Sequence, residues 1–180
     1  IALARANRRV LRLKGGDPYM FGRGGEEAGA LAAAGIPFRI VPGISSGIGG
    51  LAYASIPVTH RDTNQAVIFL TGHDETGAVP HGVNWPAVAE AAPVIVMFMA
   101  VKHLGSIAEK LLAAGRAADE RLAIVSHAAT PHQSVIETTL AAAADLRNVP
   151  TPAIVVLGPV SQYRASLDWY VGEMRGHIFG

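Results

Sequence analysis

The feature that most constrains this chain is a repeated alternation. Short runs of β-branched and other apolar residues recur, separated by alanine-rich stretches of helical character. Runs of this type predict strands near 9–13 (RVLRL), 38–41 (FRIV), 66–71 (AVIFLT), 94–99 (VIVMFM), 122–126 (LAIVS) and 153–157 (AIVVL). Helices are expected near 25–34, 44–54, 85–91, 103–114 and 138–146. Alternation of this kind predicts α/β layers around a largely parallel sheet. The runs near 94 and 153 lack polar alternation, which predicts strands covered on both faces.

Prolines punctuate the elements, and the polar segment SIPVTHRDTNQ (55–65) reads as a linker. It predicts an N-terminal α/β domain over 1–61, incomplete at its start, and a C-terminal α/β domain over 62–180. The connection 72–84 (GHDETGAVPHGVN) is long for a routine loop and suggests a mobile lid.

Composition narrows the function. A net charge of +1 gives no general attraction to nucleic acid or to an anionic membrane. No apolar run is long enough to span a bilayer; VIVMFMAV (94–101) reads as a buried strand. The absence of cysteine excludes disulfides, thiolate metal sites and a cysteine nucleophile. Seven histidines are scattered, from His60 to His177, with no zinc spacing, so no metal is expected. With no signal peptide visible, the reading is cytoplasmic.

Three stretches could carry chemistry. The loop KGGDP (14–18) follows an expected strand, the usual place for ligands in open α/β sheets. Its glycines allow close backbone approach, and Asp17 can accept hydrogen bonds from hydroxyls or an ammonium. It matches neither the dinucleotide fingerprint nor a P-loop. In FGRGGEE (21–27), Glu26 and Glu27 complement a helix N-terminus, and Arg23 between glycines is free to meet a substrate. GISSG (43–47) matches G-x-S-x-G between a strand and a helix, so a serine hydrolase using Ser45 is a competing reading. Against it, only about two strands fit upstream, and no HGGG-like oxyanion segment is present. Paired hydroxyls at a helix start more often cap the helix or bind a polar ligand.

The blocks LRLKGGDPYMFGRGGEE, GIPFRIVPGISSGIGGLAYASIPVTHRD, FLTGH, ATPHQ and TPAIVVLGPV, in that order, resemble the uroporphyrinogen-III C-methyltransferases. These are S-adenosylmethionine (SAM)-dependent tetrapyrrole methyltransferases. The resemblance implies two α/β domains of the tetrapyrrole methylase type with SAM in the cleft between them, and a homodimer. It implies C-methylation of uroporphyrinogen III at two ring carbons to give precorrin-2, towards siroheme or cobalamin, with S-adenosylhomocysteine as by-product. A precorrin-4 type methyltransferase is the nearest alternative, and a truncated module that binds without turnover is another.

The resemblance also assigns residues. Gly15, Gly16, Asp17, Met20, Ser45, Ser46, Met99, Ala129 and Ala153 fall at cofactor positions. Ala100 and Ala129 stand where the family commonly has glycine, which is tolerable only if the backbone is not at positive φ. The substrate carries eight carboxylates, for which arginine forks are natural partners. Arg23, Glu26 and Arg61 are the candidate catalytic residues on the substrate side, with Arg23, His60 and Arg61 as substrate ligands. The family's first strand and glycine-proline loop lie upstream of the GGDP block and are not in this sequence, so weak or absent turnover is expected from these residues alone.

Overall fold

The computed structural model describes residues 1–170, which divide into two compact units between Ser45 and Ser46. His177 lies outside the described residues. Position 61 lies inside the second unit, and the division falls at GISSG, within the block 43–47.

The first unit holds two helices, α1 (Ala2–Arg5) and α2 (Gly24–Ala33). The segments 9–13 and 38–41 are extended but form no strand. Leu11 and Val41 are 84% and 73% exposed. A strand needs a neighbour to take its amide and carbonyl groups, and neither segment has one among the described residues. Side-chain contacts hold the unit instead. Glu27 Oε1, on α2, accepts from Arg12 Nε and Nη2 at 3.2 and 3.1 Å and from Lys14 Nζ at 3.0 Å.

The second unit is a five-stranded sheet of β1 (Val67–Thr71), β2 (Val94–Phe98), β3 (Arg121–Ser126), β4 (Ser134–Thr139) and β5 (Ala153–Leu157), in the order β1-β2-β5-β3-β4. Only β1 and β2 pair in parallel; β5 lies antiparallel between β2 and β3, and β4 antiparallel to β3. The expected largely parallel sheet is therefore corrected to a mixed one. A strand buried on both faces has the same apolar composition in either direction, so local sequence did not distinguish them. All of β2 is buried, and so is β5 after Ala153.

Segment 46–50 forms a π-helical turn that runs into α3 (Leu51–Tyr53). α4 (Trp85–Ala91) starts at Asn84, whose side chain accepts the Ala87 amide at 3.2 Å, with Pro86 in the first turn. α5 (Leu104–Ala113) buries Leu104, Ile107, Ala108 and Leu111, one stripe at helical spacing against the sheet. α6 (Leu140–Ala143) is shorter than the expected 138–146, because β4 occupies residues up to Thr139. A 3-10 turn (Pro159–Tyr163) leads into α7 (Arg164–Leu167). Arg116 joins α4 to β2 by donating to the carbonyls of Ala89, Ala92 and Pro93 at 3.1, 2.9 and 3.0 Å.

Candidate functional site

Since β1, β2 and β3 run in one direction and β5 against them, three carboxyl ends and the start of β5 meet at one edge of the sheet. That edge collects Met99, directly after β2, Ala129 in the β3–β4 connection, and Ala153, which pairs with Ser126. Ser126 Oγ donates to the Pro150 carbonyl at 2.7 Å, and the His127 amide donates to the Pro152 carbonyl at 2.9 Å. Four of the cofactor positions expected from the resemblance, Ser46, Met99, Ala129 and Ala153, thus belong to this one unit, three of them at this edge.

The backbone here is strained. Met99, His127 and Ala129 have φ of +53°, +48° and +62°, a region that costs a residue with a Cβ about 1–2 kcal/mol each. Ala100, at φ −89°, meets the condition set for replacing glycine; Ala129 does not. Two glycines bring the surrounding backbone close. A Cβ at Gly72, at the end of β1, would stand 2.3 Å from Ala100 Cα, so β1 meets the Met99–Ala100 turn only because residue 72 has no side chain. A Cβ at Gly47 would stand 2.6 Å from Phe98 Cζ and 3.1 Å from Phe69 Cε1, which seats the π-helical turn directly on Phe98 at the end of β2 and on Phe69 of β1.

The glycine loop of the first unit is built from its own contacts. The Asp17 carboxylate takes the Tyr19 amide on Oδ1 at 2.8 Å and the Gly43 amide on Oδ2 at 3.0 Å, clipping the GGDP loop to the GISSG block. Gly16 has φ +70°, and a Cβ at Gly43 would stand 2.1 Å from its carbonyl oxygen. A Cβ at Gly24 would stand 2.4 Å from the Pro18 carbonyl oxygen. Three of these glycines therefore serve close packing or a left-handed turn. Gly15 has neither demand, and a Cβ there would meet open space. Met20 is half-buried on the same loop. Ser45 Oγ is buried without a hydrogen-bond partner among the described residues, none of which supplies it the base that a serine nucleophile needs.

Of the residues expected on the substrate side, Arg23 is the left-handed N-cap of α2, and its Nε lies 3.3 Å from Glu26 Oε1, both side chains well exposed. The Glu26 carboxyl sits below its ordinary range, first because of its own backbone amide at the helix start and then because of Arg23. His60 stacks on Tyr163 with ring centroids 4.0 Å apart, and Arg61 beside it is exposed. The expected linker is a tightly built loop. Buried Asn64 accepts the His60 amide at 2.9 Å and donates to the carbonyls of Val58 and Ala66 at 3.1 and 3.3 Å. The expected lid 72–84 is likewise braced. Asp74 Oδ1 accepts the Thr76 amide and hydroxyl at 2.9 and 2.6 Å, and the His103 ring lies 2.8 Å from the Gly77 carbonyl.

Sequence reasoning gave no role to Gly47, Gly72 or Gln133. Gly72 carried a signal, a glycine at the carboxyl end of a predicted strand; the others depend on contacts distant in sequence. Among the described residues no three His, Asp or Glu side chains gather to hold a metal ion, and no helix is long and apolar enough to cross a membrane.

An α/β sheet edge with left-handed Met99 and Ala129 beside Ala153 could suit a molecule approached by backbone groups. The chain belongs to the tetrapyrrole (corrin/porphyrin) methylases, whose family model matches residues 1–144. It is 60% identical over 179 residues to a uroporphyrinogen-III C-methyltransferase of Sinorhizobium sp., covering 98% of this chain and 64% of that one. It is 42% identical to a siroheme synthase of Zymomonas mobilis, of which it covers 36%. The chain thus spans less than two thirds of the length of these relatives. The crystal structure of the Thermus thermophilus uroporphyrin-III C-methyl transferase complexed with S-adenyl homocysteine superposes with a TM-score of 0.79 at 36% identity, over 89% of this chain and 70% of that one. A cobalt precorrin-4 methyltransferase superposes with a TM-score of 0.76 at 26% identity, over 87% and 66%.

Proposed function

We propose that this chain carries the SAM-binding and substrate-orienting machinery for C-methylation of uroporphyrinogen III at two ring carbons to precorrin-2, a step towards siroheme or cobalamin. The observation that carries the reading is the sheet edge that brings Met99 and Ala129, both at positive φ, together with Ala153, in a fold shared with a methyltransferase complexed with S-adenyl homocysteine. The residues fit such a group. Ala129 and Ala153 present only methyl groups, and Ser45 Oγ is a buried hydroxyl without a partner. Gly15 leaves open space beside its backbone. Identity of 60% to a uroporphyrinogen-III enzyme, against 26% to a precorrin-4 one, favours the first substrate.

Bound SAM supplies an electrophilic methyl on a sulfonium. A nucleophilic pyrrole carbon of the substrate forms the new C–C bond as the C–S bond breaks, and the electron pair stays on sulfur. That ring carbon already bears a carboxylate side chain and has no hydrogen, so the balancing proton leaves from elsewhere on the macrocycle, a ring nitrogen or a bridging carbon. No protein nucleophile takes part, so the contribution of the chain is to hold two reactants in line. Arg23 and Arg61, with His60, bind substrate carboxylates, and Glu26 fixes the Arg23 guanidinium. The whole enzyme acts in the cytoplasm as a homodimer, which sedimentation at micromolar concentration checks.

The test is calorimetric titration with S-adenosylhomocysteine, followed by mass analysis after incubation with uroporphyrinogen III and SAM. One-site binding and a product with two added methyl groups support the reading. A folded chain that neither binds nor methylates refutes it for these residues.

A further inference from the structure

One side chain joins the two segments at the ligand edge, and no step of the chemistry uses it. Gln133 is 6% exposed and lies at the far end of the β3–β4 connection. Its Oε1 accepts the Ala129 amide at 2.8 Å, and its Nε2 donates to the Tyr53 carbonyl at 2.9 Å, across 80 residues of sequence. Ala129 is the left-handed alanine of the edge, and Tyr53 ends the helix that begins at Ser46 and is seated by Gly47 on Phe98. The connection is also closed locally: the Gln133 amide donates to the Thr130 carbonyl at 3.0 Å, and Thr130 Oγ1 donates to the His127 carbonyl at 2.7 Å.

We infer that Gln133 is a positioning residue that holds Ala129 in its left-handed conformation and locks it to the 46–53 helix, presetting the ligand edge for the cofactor. An alanine at φ +62° reverts to an ordinary backbone region unless something holds it, and among the described residues its amide is held by this carboxamide. A primary amide suits the task because it must accept at one end and donate at the other. Glutamate can do only the first, and leucine neither.

The inference rests on the proposed cofactor reading, and its test separates the two. S-adenosylhomocysteine affinity is measured for the unaltered chain, Gln133→Leu, Gln133→Glu and Gln133→Leu combined with Ala129→Gly. Exchange of the Ala129 amide is followed in parallel without ligand. Gln133→Leu is expected to weaken binding at least tenfold and to speed Ala129 exchange at least tenfold. Ala129→Gly is expected to recover at least threefold of the affinity, because glycine takes the left-handed conformation without the bond. A general packing defect would not be rescued in that way. If the leucine variant does not fold, Gln133→Glu, which keeps the Ala129 bond and loses the Tyr53 bond, is expected to weaken binding at least threefold. Affinity within twofold of the unaltered chain in a folded variant, or failure of the glycine rescue, overturns the inference. Absence of binding by the unaltered chain refutes the cofactor reading instead; unchanged Ala129 exchange in the leucine variant then overturns the positioning role as well.

Discussion

Gly47→Ala adds one methyl to the π-helical turn at the ligand edge. That methyl would stand 2.6 and 2.9 Å from Phe98 Cζ and Cε2, and 3.1 Å from Phe69 Cε1 on the other side. Carbon atoms in comfortable contact are roughly 3.5–4.0 Å apart, so the turn or the Phe98 ring must shift by about 1 Å. The ring has little room, since Phe98 is 8% exposed and packs on Phe69 with centroids 6.2 Å apart. Overpacking of this kind costs about 1–3 kcal/mol, against a gain of roughly 0.5–1 kcal/mol from replacing glycine within a helix. The expected net loss is about 1–2 kcal/mol. Urea unfolding followed by tryptophan fluorescence reads it, because Trp85 and Trp169 both belong to the second unit. Phe98→Leu removes the two closest clashing atoms, so the double variant is expected to show favourable coupling of about 1 kcal/mol or more. A Gly47→Ala chain as stable as the parent, or a cycle without coupling, would refute the seating of this turn on Phe98.

Ala129→Gly is expected to stabilise the second unit by about 0.5–1 kcal/mol, the left-handed penalty relieved less the greater chain entropy of glycine; the same urea titration reads it. Arg116→Ala leaves three carbonyls at the α4–β2 junction without their donor, and a loss of about 2–4 kcal/mol is expected. Glu27 titrates below its ordinary range, chiefly because of the hydrogen bond from Lys14 and then that from Arg12. Its folded pKa is depressed, so its contribution is present above the unfolded carboxylate pKa and is lost as pH falls through the folded value. Lys14→Met is expected to raise the Glu27 pKa in an NMR titration and to flatten that acid limb. An unchanged Glu27 titration would contradict the contact.

Much of the architecture was legible in local pattern. β2 and β5 are unbroken apolar runs, and α5 carries its buried stripe at i, i+3, i+4 and i+7, so their existence follows from burial alone. β4 was not legible: SVIETT is half-exposed without a clean alternation, and its last two residues fall inside the helix expected at 138–146. The segments 9–13 and 38–41 err the other way. Their residues favour strands, but a strand is a property of a pair of segments, and these have no partner among the described residues.

The candidate site divides along the same line. Sequence by itself supplied the candidates for the chemistry: a glycine loop, small residues at strand ends and arginines suited to carboxylates, with no thiol. It also determined the family, through blocks whose order and spacing no single element could supply. Only the tertiary structure decided what each residue does. Asp17 clips two loops of its unit through its carboxylate, and Gly43, Gly47 and Gly72 are bare because backbone or aromatic atoms occupy the space of a Cβ. Ala129 stands at positive φ under the hold of a glutamine. Local composition specifies chemical capacity and periodic burial. Contacts between residues 26 to 80 positions apart depend on the path of the whole chain, so the sequence pattern names the parts and packing assigns their work.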